Sequence, residues 1–226
     1  MKISKKLYNN IWFRIYISIT LIFLLYMIII PYNFIGYLST YLQEPFFSLN
    51  TFFDDLIPFI PIFVFPYISL FFLLLATIFF SFRKKITTIE LISFHITQIM
   101  LLISCYIIYL IFPTTSSSIM VNLNQYGDSL TIKLITILYN LGVPFNAFPS
   151  YHVAPLVFIA LFTYHKWRKL FWISLPFNIA SVLSTVFIKY HFFVDILGGI
   201  GIGYFAYYVL YKKVALKYLN KFIKIK

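Results

Sequence analysis

Residues 195–211 read DILGGIGIGYFAYYVLY, and only the first of these residues carries a charge. A helix of about 20 apolar residues crosses the roughly 30 Å of hydrocarbon in a bilayer. Five more apolar runs approach or reach that length, at residues 15–30, 62–82, 94–112, 152–164 and 170–188. The sequence therefore predicts an all-α, polytopic membrane protein with six transmembrane helices in a bundle, of which the fourth is the shortest.

The overall composition agrees with a membrane protein. Hydrophobic residues make up 62% of the 226 residues and charged residues only 11%, and the mean hydropathy is +0.90. Such values exclude a separate water-soluble domain. We expect one integral membrane domain over residues 1–226, ending in a basic tail at 212–226.

Basic residues indicate the orientation, because cytoplasmic loops collect Lys and Arg. Sixteen of the eighteen basic residues precede the first span or follow the second, fourth and sixth. Only Lys133 and Lys189 fall on the opposite side. Both termini are therefore expected in the cytoplasm, and the net charge of +12 is interpreted as a topological signal, so no nucleic-acid partner is expected.

Two segments between the spans have their own character. In residues 113–149, apolar positions recur with a helical period at Leu130, Leu134, Ile137, Leu138 and Leu141. This pattern predicts an amphipathic helix on the membrane surface between the third and fourth spans. In residues 31–61, Asp54 and Asp55 are interpreted as a solvated pair in an extracytoplasmic loop.

Polar chemistry is concentrated at His152, His191 and Asp195. His191 precedes Asp195 by four residues, a spacing that can place both on one helix face, so the carboxylate can hold the imidazole in one tautomer. The two histidines are 39 residues apart in the sequence, about two membrane crossings, which returns both to one surface. A catalytic site, two packing histidines and a metal site with two His and one Asp all remain open on these residues alone.

Two motifs resemble those of the type 2 phosphatidic acid phosphatase (PAP2) superfamily of integral membrane phosphatases and phosphotransferases. Residues 149–152, PSYH, resemble its Pro-Ser-Gly-His motif, and residues 184–195, STVFIKYHFFVD, keep the spacing of its Ser-Arg, five residues, His, three residues, Asp motif. The similarity extends over about residues 50–211. The wider context at 146–154 and 189–199 resembles the branch that contains inositol phosphorylceramide synthases.

This resemblance implies metal-independent phosphoryl transfer through a phosphohistidine, without a cofactor. His191 would be the nucleophile, Asp195 would orient it, and His152 would be the general acid and base. The family's Lys and Arg of the first motif have no counterpart, and Thr185 stands where the third motif has Arg. The positions left for binding the substrate phosphate are Ser150, Tyr151, Lys189 and Thr185, with Lys133 in reserve.

Three functions follow from this resemblance. The first is a lipid phosphate phosphatase that hydrolyses a phosphomonoester or pyrophosphate at the extracytoplasmic face. The second is a phosphotransferase of the inositol phosphorylceramide synthase kind, and the third is a non-catalytic membrane protein or transporter. The expected partners are a lipid phosphate substrate and membrane lipids, with the oligomeric state left open. A composition rich in Ile, Lys, Phe, Tyr and Asn favours a bacterial source, and hence the inner membrane.

Overall fold

The computed structural model describes residues 2–3, 9–30, 32–42, 47–142 and 144–225. Its α-helices are α1 Ile11–Ile29, α2 Tyr32–Leu42, α3 Phe52–Leu56, α4 Val64–Ala76, α5 Thr88–Ile111, α6 Leu130–Leu141, α7 Val153–Lys166, α8 Arg168–Phe187, α9 Phe193–Phe205 and α10 Leu216–Phe222. Short 3-10 turns cover Pro61–Phe63, Thr77–Phe82 and Leu123–Tyr126, and a π-helical stretch, Ala206–Ala215, joins α9 to α10. Strands β1 Lys2–Ile3 and β2 Lys224–Ile225 pair in parallel. The predicted all-α class is confirmed apart from this two-residue pairing.

Four helical segments of the described chain are long and apolar enough to cross a membrane, as expected of an integral membrane protein: Ile11–Gly36, Thr88–Ile111, Arg168–Phe187 and Phe193–Phe222. They correspond to four of the six predicted spans. The other two fall on α4 and α7, which have only 13 and 14 residues, so their crossing stays a prediction. Helix α6 forms where an amphipathic helix was expected, and its position on the membrane surface also stays a prediction.

One end of the bundle gathers basic side chains. Arg14 Nη2 donates to the carbonyl oxygens of Phe80, Arg83 and Ile86 at 3.3, 3.0 and 2.7 Å, which ties α1 to the segment between α4 and α5. Lys166 at the end of α7 pairs with Glu90 in the first turn of α5. The paired strands β1 and β2 bring the two ends of the described chain together.

Close contact between α7 and α9 brings the two predicted motifs together at the other end. A Cβ atom on Gly203 would lie 2.6 Å from Val157 Cβ, and one on Gly199 would lie 2.7 Å from the Ser150 carbonyl oxygen. Only glycine therefore fits at these two positions, as at small-residue contacts between membrane helices. The close packing of α9 against α7 allows the Ser150 N–H to donate to the Asp195 carbonyl oxygen at 3.1 Å. This hydrogen bond joins the start of α7 to the start of α9.

Candidate active site

The turn between α8 and α9 carries His191. Helix α8 ends at Phe187, and Lys189 adopts a positive φ of 55°. The N–H groups of Tyr190 and His191 then both donate to the Thr185 carbonyl oxygen, at 3.1 and 3.0 Å. These bonds fold the turn back onto the last turn of α8 and leave the His191 side chain only 2% exposed.

Asp195 fixes the orientation of His191. Its Oδ2 accepts hydrogen bonds from the Phe192 N–H at 2.9 Å and from His191 Nδ1 at 3.1 Å, and the residue is fully buried. It lies in the first turn of α9, where the helix dipole favours a negative charge. With the proton held on Nδ1, the Nε2 of His191 keeps a lone pair available for attack.

His152 stands directly before α7 and faces His191. Its Nδ1 lies 3.0 Å from His191 Nε2, so the two histidines meet at one end of the bundle as the spacing of the motifs predicts. Its Nε2 lies 2.9 Å from the hydroxyl of Tyr67, a buried residue of α4. Tyr67 was not found from the sequence, because nothing distinguishes it among 19 tyrosines and 28 phenylalanines.

The partners of these groups determine one consistent set of proton positions when both histidines are neutral. The Asp195 carboxylate can only accept, so His191 donates from Nδ1 and accepts at Nε2. His152 then donates from Nδ1 and accepts at Nε2, where the Tyr67 hydroxyl donates. The result is a hydrogen-bond chain from Tyr67 through His152 and His191 to Asp195, in which an imidazole N–H faces an imidazole lone pair.

Ser150 lies two residues before His152 and carries an unpaired polar atom. The residue is fully buried, and within the described part of the protein its Oγ has no hydrogen-bond partner. A buried hydroxyl left unpaired costs about 1–3 kcal/mol, and a phosphoryl oxygen at the start of α7 would satisfy it. Of the four positions predicted to bind phosphate, Ser150 and Tyr151 are the two whose side-chain hydroxyls are buried and unpaired among the described residues.

Lys189 and Thr185 use their side chains elsewhere. Lys189 Nζ donates to the Asp54 carbonyl oxygen at 2.8 Å. The pKa of this amine is lowered, because the effect of burial exceeds the opposing effect of the nearby Asp54 and Asp55 carboxylates. Thr185 Oγ1 donates to the Val182 carbonyl oxygen at 2.8 Å. The Lys189 side chain therefore holds the turn that carries His191, and the Thr185 hydroxyl is engaged within α8. The role of both residues in phosphate binding stays a prediction.

The reserve cation, Lys133, pairs with Asp128 at 3.4 Å on the surface. Its role in phosphate binding stays a prediction.

The interpretation of Asp54 as a solvated residue was wrong. Asp54 is 2% exposed, its Oδ2 accepts from the N–H and hydroxyl of Thr51, both at 2.7 Å, and its Oδ1 accepts from the Phe193 N–H at 2.7 Å. Asp55 is exposed as expected. Asp54 therefore joins α3 to Lys189 and to the first residue of α9. The Thr-x-x-Asp spacing of a capping box was the signal in the sequence.

A cavity of about 320 Å³ adjoins His152, and we call it the tyrosine chamber. Its wall contains His152 and five tyrosines, together with apolar residues of α1, α4, α6 and α7; the tyrosines are Tyr26, Tyr32, Tyr67, Tyr151 and Tyr190. Tyr151 lies here, and its hydroxyl has no hydrogen-bond partner among the described residues. Its predicted contact with phosphate stays a prediction.

Metal ligation was the remaining chemical alternative for these residues. Over the part of the chain that the structure describes, no group of three or more His, Cys, Asp or Glu side chains is arranged to hold a metal ion. His152 and His191 direct ring nitrogens at each other, so a shared ion would require the rings to separate.

A family profile described as the PAP2 superfamily matches residues 44–209. The chain belongs to the PAP2 superfamily. Both motifs lie within the match, and membership indicates an enzyme of the phosphatase or phosphotransferase type. No curated protein and no solved structure matches the chain, so its relation to the inositol phosphorylceramide synthase branch stays a prediction.

Proposed function

We propose that this PAP2 protein is a membrane lipid phosphate phosphatase that acts through a phosphohistidine, without a metal ion. The observation that carries the proposal is the hydrogen-bond chain from Tyr67 to Asp195, which supplies a nucleophile and a general acid 3.0 Å apart. The distribution of basic residues supports an active site on the extracytoplasmic face of a bacterial inner membrane, with both termini in the cytoplasm.

In the first step, the phosphoryl group of the lipid enters between the two imidazoles, which must separate to admit it. His191 Nε2 attacks phosphorus and forms the N–P bond while the P–O bond to the lipid alcohol breaks. The phosphomonoester brings its own proton to His152, which enters the step as an imidazolium. His152 Nδ1 then gives one proton to the departing oxygen, and the ring becomes neutral. Ser150 Oγ is a donor available to the phosphoryl oxygens, whereas the N–H groups of Val153 and Ala154 already donate to the Ser150 carbonyl oxygen.

In the second step, His152 accepts a proton from water at the Nδ1 that has just lost one. The hydroxide attacks phosphorus, the N–P bond breaks, and inorganic phosphate leaves. His191 recovers its lone pair, and Asp195 stabilises the imidazolium character that this residue carries while it is phosphorylated.

A phosphotransferase is the second candidate, in which a lipid hydroxyl replaces water in that step. The scarcity of cations near the histidines favours it, since Lys189 is held by the Asp54 carbonyl and Lys133 by Asp128. A phosphodiester carries less charge than a phosphomonoester and needs fewer cations. The relation to inositol phosphorylceramide synthases belongs to this candidate.

The test is a detergent-solubilised assay on lipid phosphomonoesters, pyrophosphates and phosphodiesters, with and without EDTA and an added lipid alcohol. Free phosphate and new lipid products are measured together. We expect phosphate release that survives EDTA and disappears in His191→Ala. A new phosphodiester without free phosphate would establish the transferase instead, and no turnover of any substrate by folded protein would establish a non-catalytic protein.

A further inference from the structure

A second cavity lies at the basic end of the bundle, and none of the candidate active-site residues lines it. It encloses about 410 Å³, within the range of about 300–1,000 Å³ that is typical of ligand pockets. The segment between α4 and α5 forms one side of its wall, and the end of α7 forms the other. We call it the basic cavity, because its described lining includes four basic residues and no acidic one: Arg83, Lys84, Lys85 and Lys166.

Three of these four cations keep an uncompensated charge. Lys166 pairs with Glu90, whereas no ion pair within the described part of the chain involves Arg83, Lys84 or Lys85. Lys84 and Lys85 are exposed, and Arg83 is half-buried. Like charges this close repel one another, and an anion between them converts that repulsion into attraction. The charge pattern therefore favours an anionic ligand.

Arg83 is held in place without being neutralised. Its guanidinium carbon lies 4.1 Å from the ring centre of Phe79 and 4.3 Å from that of Trp167. An aromatic face attracts a cation but supplies no counter-charge. The Nε of Arg83 is buried and has no hydrogen-bond partner among the described residues, which costs free energy until a ligand accepts from it. A guanidinium fixed in this way is suited to phosphate, which can accept two N–H groups at once.

The basic cavity adjoins the starts of two helices that are long and apolar enough to cross a membrane, α5 and α8. Helix α5 starts at Thr88, two residues after the lining residue Ile86. Helix α8 starts directly after Trp167, which also lines the cavity. Cations and a tryptophan at the ends of membrane spans are expected at the level of the lipid headgroups.

An apolar surface continues outward from the cations. Phe82 lines the cavity and is 55% exposed, whereas Phe80 and Phe162 close its inner side and are buried. A free phosphate ion would gain nothing from contact with Phe82, but a lipid chain would bury this ring. The ligand chemistry that matches the cavity is therefore a phosphate joined to an apolar chain.

We propose that the basic cavity binds an anionic phospholipid through its headgroup phosphate. Arg83 donates to the phosphate, Lys84 and Lys85 compensate the remaining charge, and the acyl chains run outward past Phe82. A zwitterionic phospholipid fits less well, because the cations repel its own ammonium group. The bound lipid joins the segment between α4 and α5 to the junction of α7 and α8 and so stabilises the fold. The inference is independent of the proposed phosphatase function, because it concerns a separate site.

The first test compares ligands by thermal unfolding. The full chain in uncharged detergent is titrated separately with dioleoyl phosphatidylglycerol, dioleoyl phosphatidylcholine and inorganic phosphate. A ligand that binds only the folded state raises the melting temperature. We expect saturating phosphatidylglycerol to raise it by at least about 4 °C and the other two ligands by less than about 1 °C. Equal increases with both lipids, an equal increase with inorganic phosphate, or no increase with phosphatidylglycerol would overturn the proposal.

The second test locates the lipid. Arg83→Gln should raise the phosphatidylglycerol concentration that gives half of the maximal increase by at least about tenfold, because charge-assisted hydrogen bonds are lost. Arg168→Gln is the matched control: its guanidinium lies 4.8 Å from the ring centre of Tyr164 at the same end of the bundle, but the residue does not line the cavity. It should leave that concentration within about twofold of the wild-type value.

A second variant keeps the proposal testable if Arg83→Gln does not fold. Lys84→Gln and Lys85→Gln combined change two exposed side chains, and we expect about a tenfold rise in the same concentration. An unchanged titration in this variant would place the lipid elsewhere, including at the histidines, and overturn the proposal. Equal rises in Arg83→Gln and Arg168→Gln would show a diffuse attraction to the basic end and would overturn it as well.

Discussion

The two ends of the helical bundle differ in the kind of polar interaction that holds them together. At the basic end, Arg14 donates to three carbonyl oxygens and Lys166 pairs with Glu90, so full charges hold the segments in place. At the other end, neutral groups pass hydrogen bonds from Tyr67 to a single carboxylate, Asp195. The comparison teaches that Arg14 and Lys166 use their charges to hold helices in place, whereas the predicted chemistry depends on the tautomers and proton transfers of two histidines.

The largest effect on turnover is expected from the histidines. His191→Ala removes the nucleophile and His152→Ala removes the acid, so each should lower the rate by at least about 10³-fold. Phosphate release from a lipid phosphomonoester is the measurement, and membrane insertion at the wild-type level is the control. Near-normal rates in either variant would show that the two-histidine mechanism is wrong.

The next largest effect is expected from the contact that assembles the site. Gly203→Ala would place Cβ 2.6 Å from Val157 Cβ and push α9 away from α7, at a cost of about 1–3 kcal/mol. A displacement of about 1 Å between the motifs can lower the rate about a hundredfold. The measurements are kcat and the melting temperature.

Gly201→Ala is the matched control for that prediction, since no heavy atom lies within 4 Å of a Cβ built there. It should retain full activity. Equal losses in both variants would mean that helix propensity, and not the approach of α9 to α7, explains the Gly203 result.

A smaller effect is expected at Tyr67. Tyr67→Phe removes the hydroxyl that hydrogen-bonds His152 Nε2 and orients the ring for proton transfer at Nδ1. The loss of about 1.4 kcal/mol corresponds to about tenfold in kcat. The loss should be greater for alkyl phosphates than for aryl phosphates, whose leaving oxygens need less protonation. Tyr204→Phe, at a half-exposed site on α9, is the control, and an equal loss for both substrate types would assign Tyr67 a purely structural role.

The smallest effect on turnover is expected at the basic end. Arg14→Gln should leave kcat within about twofold while lowering the melting temperature by about 4–8 °C, because hydrogen bonds from a charged donor are lost. A thermal scan and a rate measurement on the same preparation test this. A large loss of activity at unchanged melting temperature would contradict the separation of the two ends.

Sequence reasoning worked best where spacing alone determines geometry. A spacing of four positions from His191 to Asp195, and of about two crossings from His152 to His191, was enough to predict that these three side chains meet. The apolar runs likewise predicted the four long helical segments. The short fourth run corresponds to α7, whose 14 residues leave its crossing a prediction.

The rest depended on tertiary contacts that carry little signal in one sequence. Tyr67 is one aromatic residue in an aromatic-rich run, and its bond to His152 joins residues 85 positions apart. Asp54 was misinterpreted because a carboxylate in a loop is usually solvated, whereas here a helix start and the Phe193 N–H share it. Gly199 and Gly203 did carry a signal, the small-residue spacing of membrane helix contacts.

The pairing of β1 with β2 constrains the number of membrane crossings by parity. Lys2 lies opposite Lys224 and Ile3 opposite Ile225 in register, so the two ends of the described chain lie on one side of whatever bilayer surrounds the bundle. A chain that starts and finishes on one side has crossed an even number of times. Four crossings and six are therefore both compatible with the pairing and five is not, and a topology reporter fused at either terminus would give the same result.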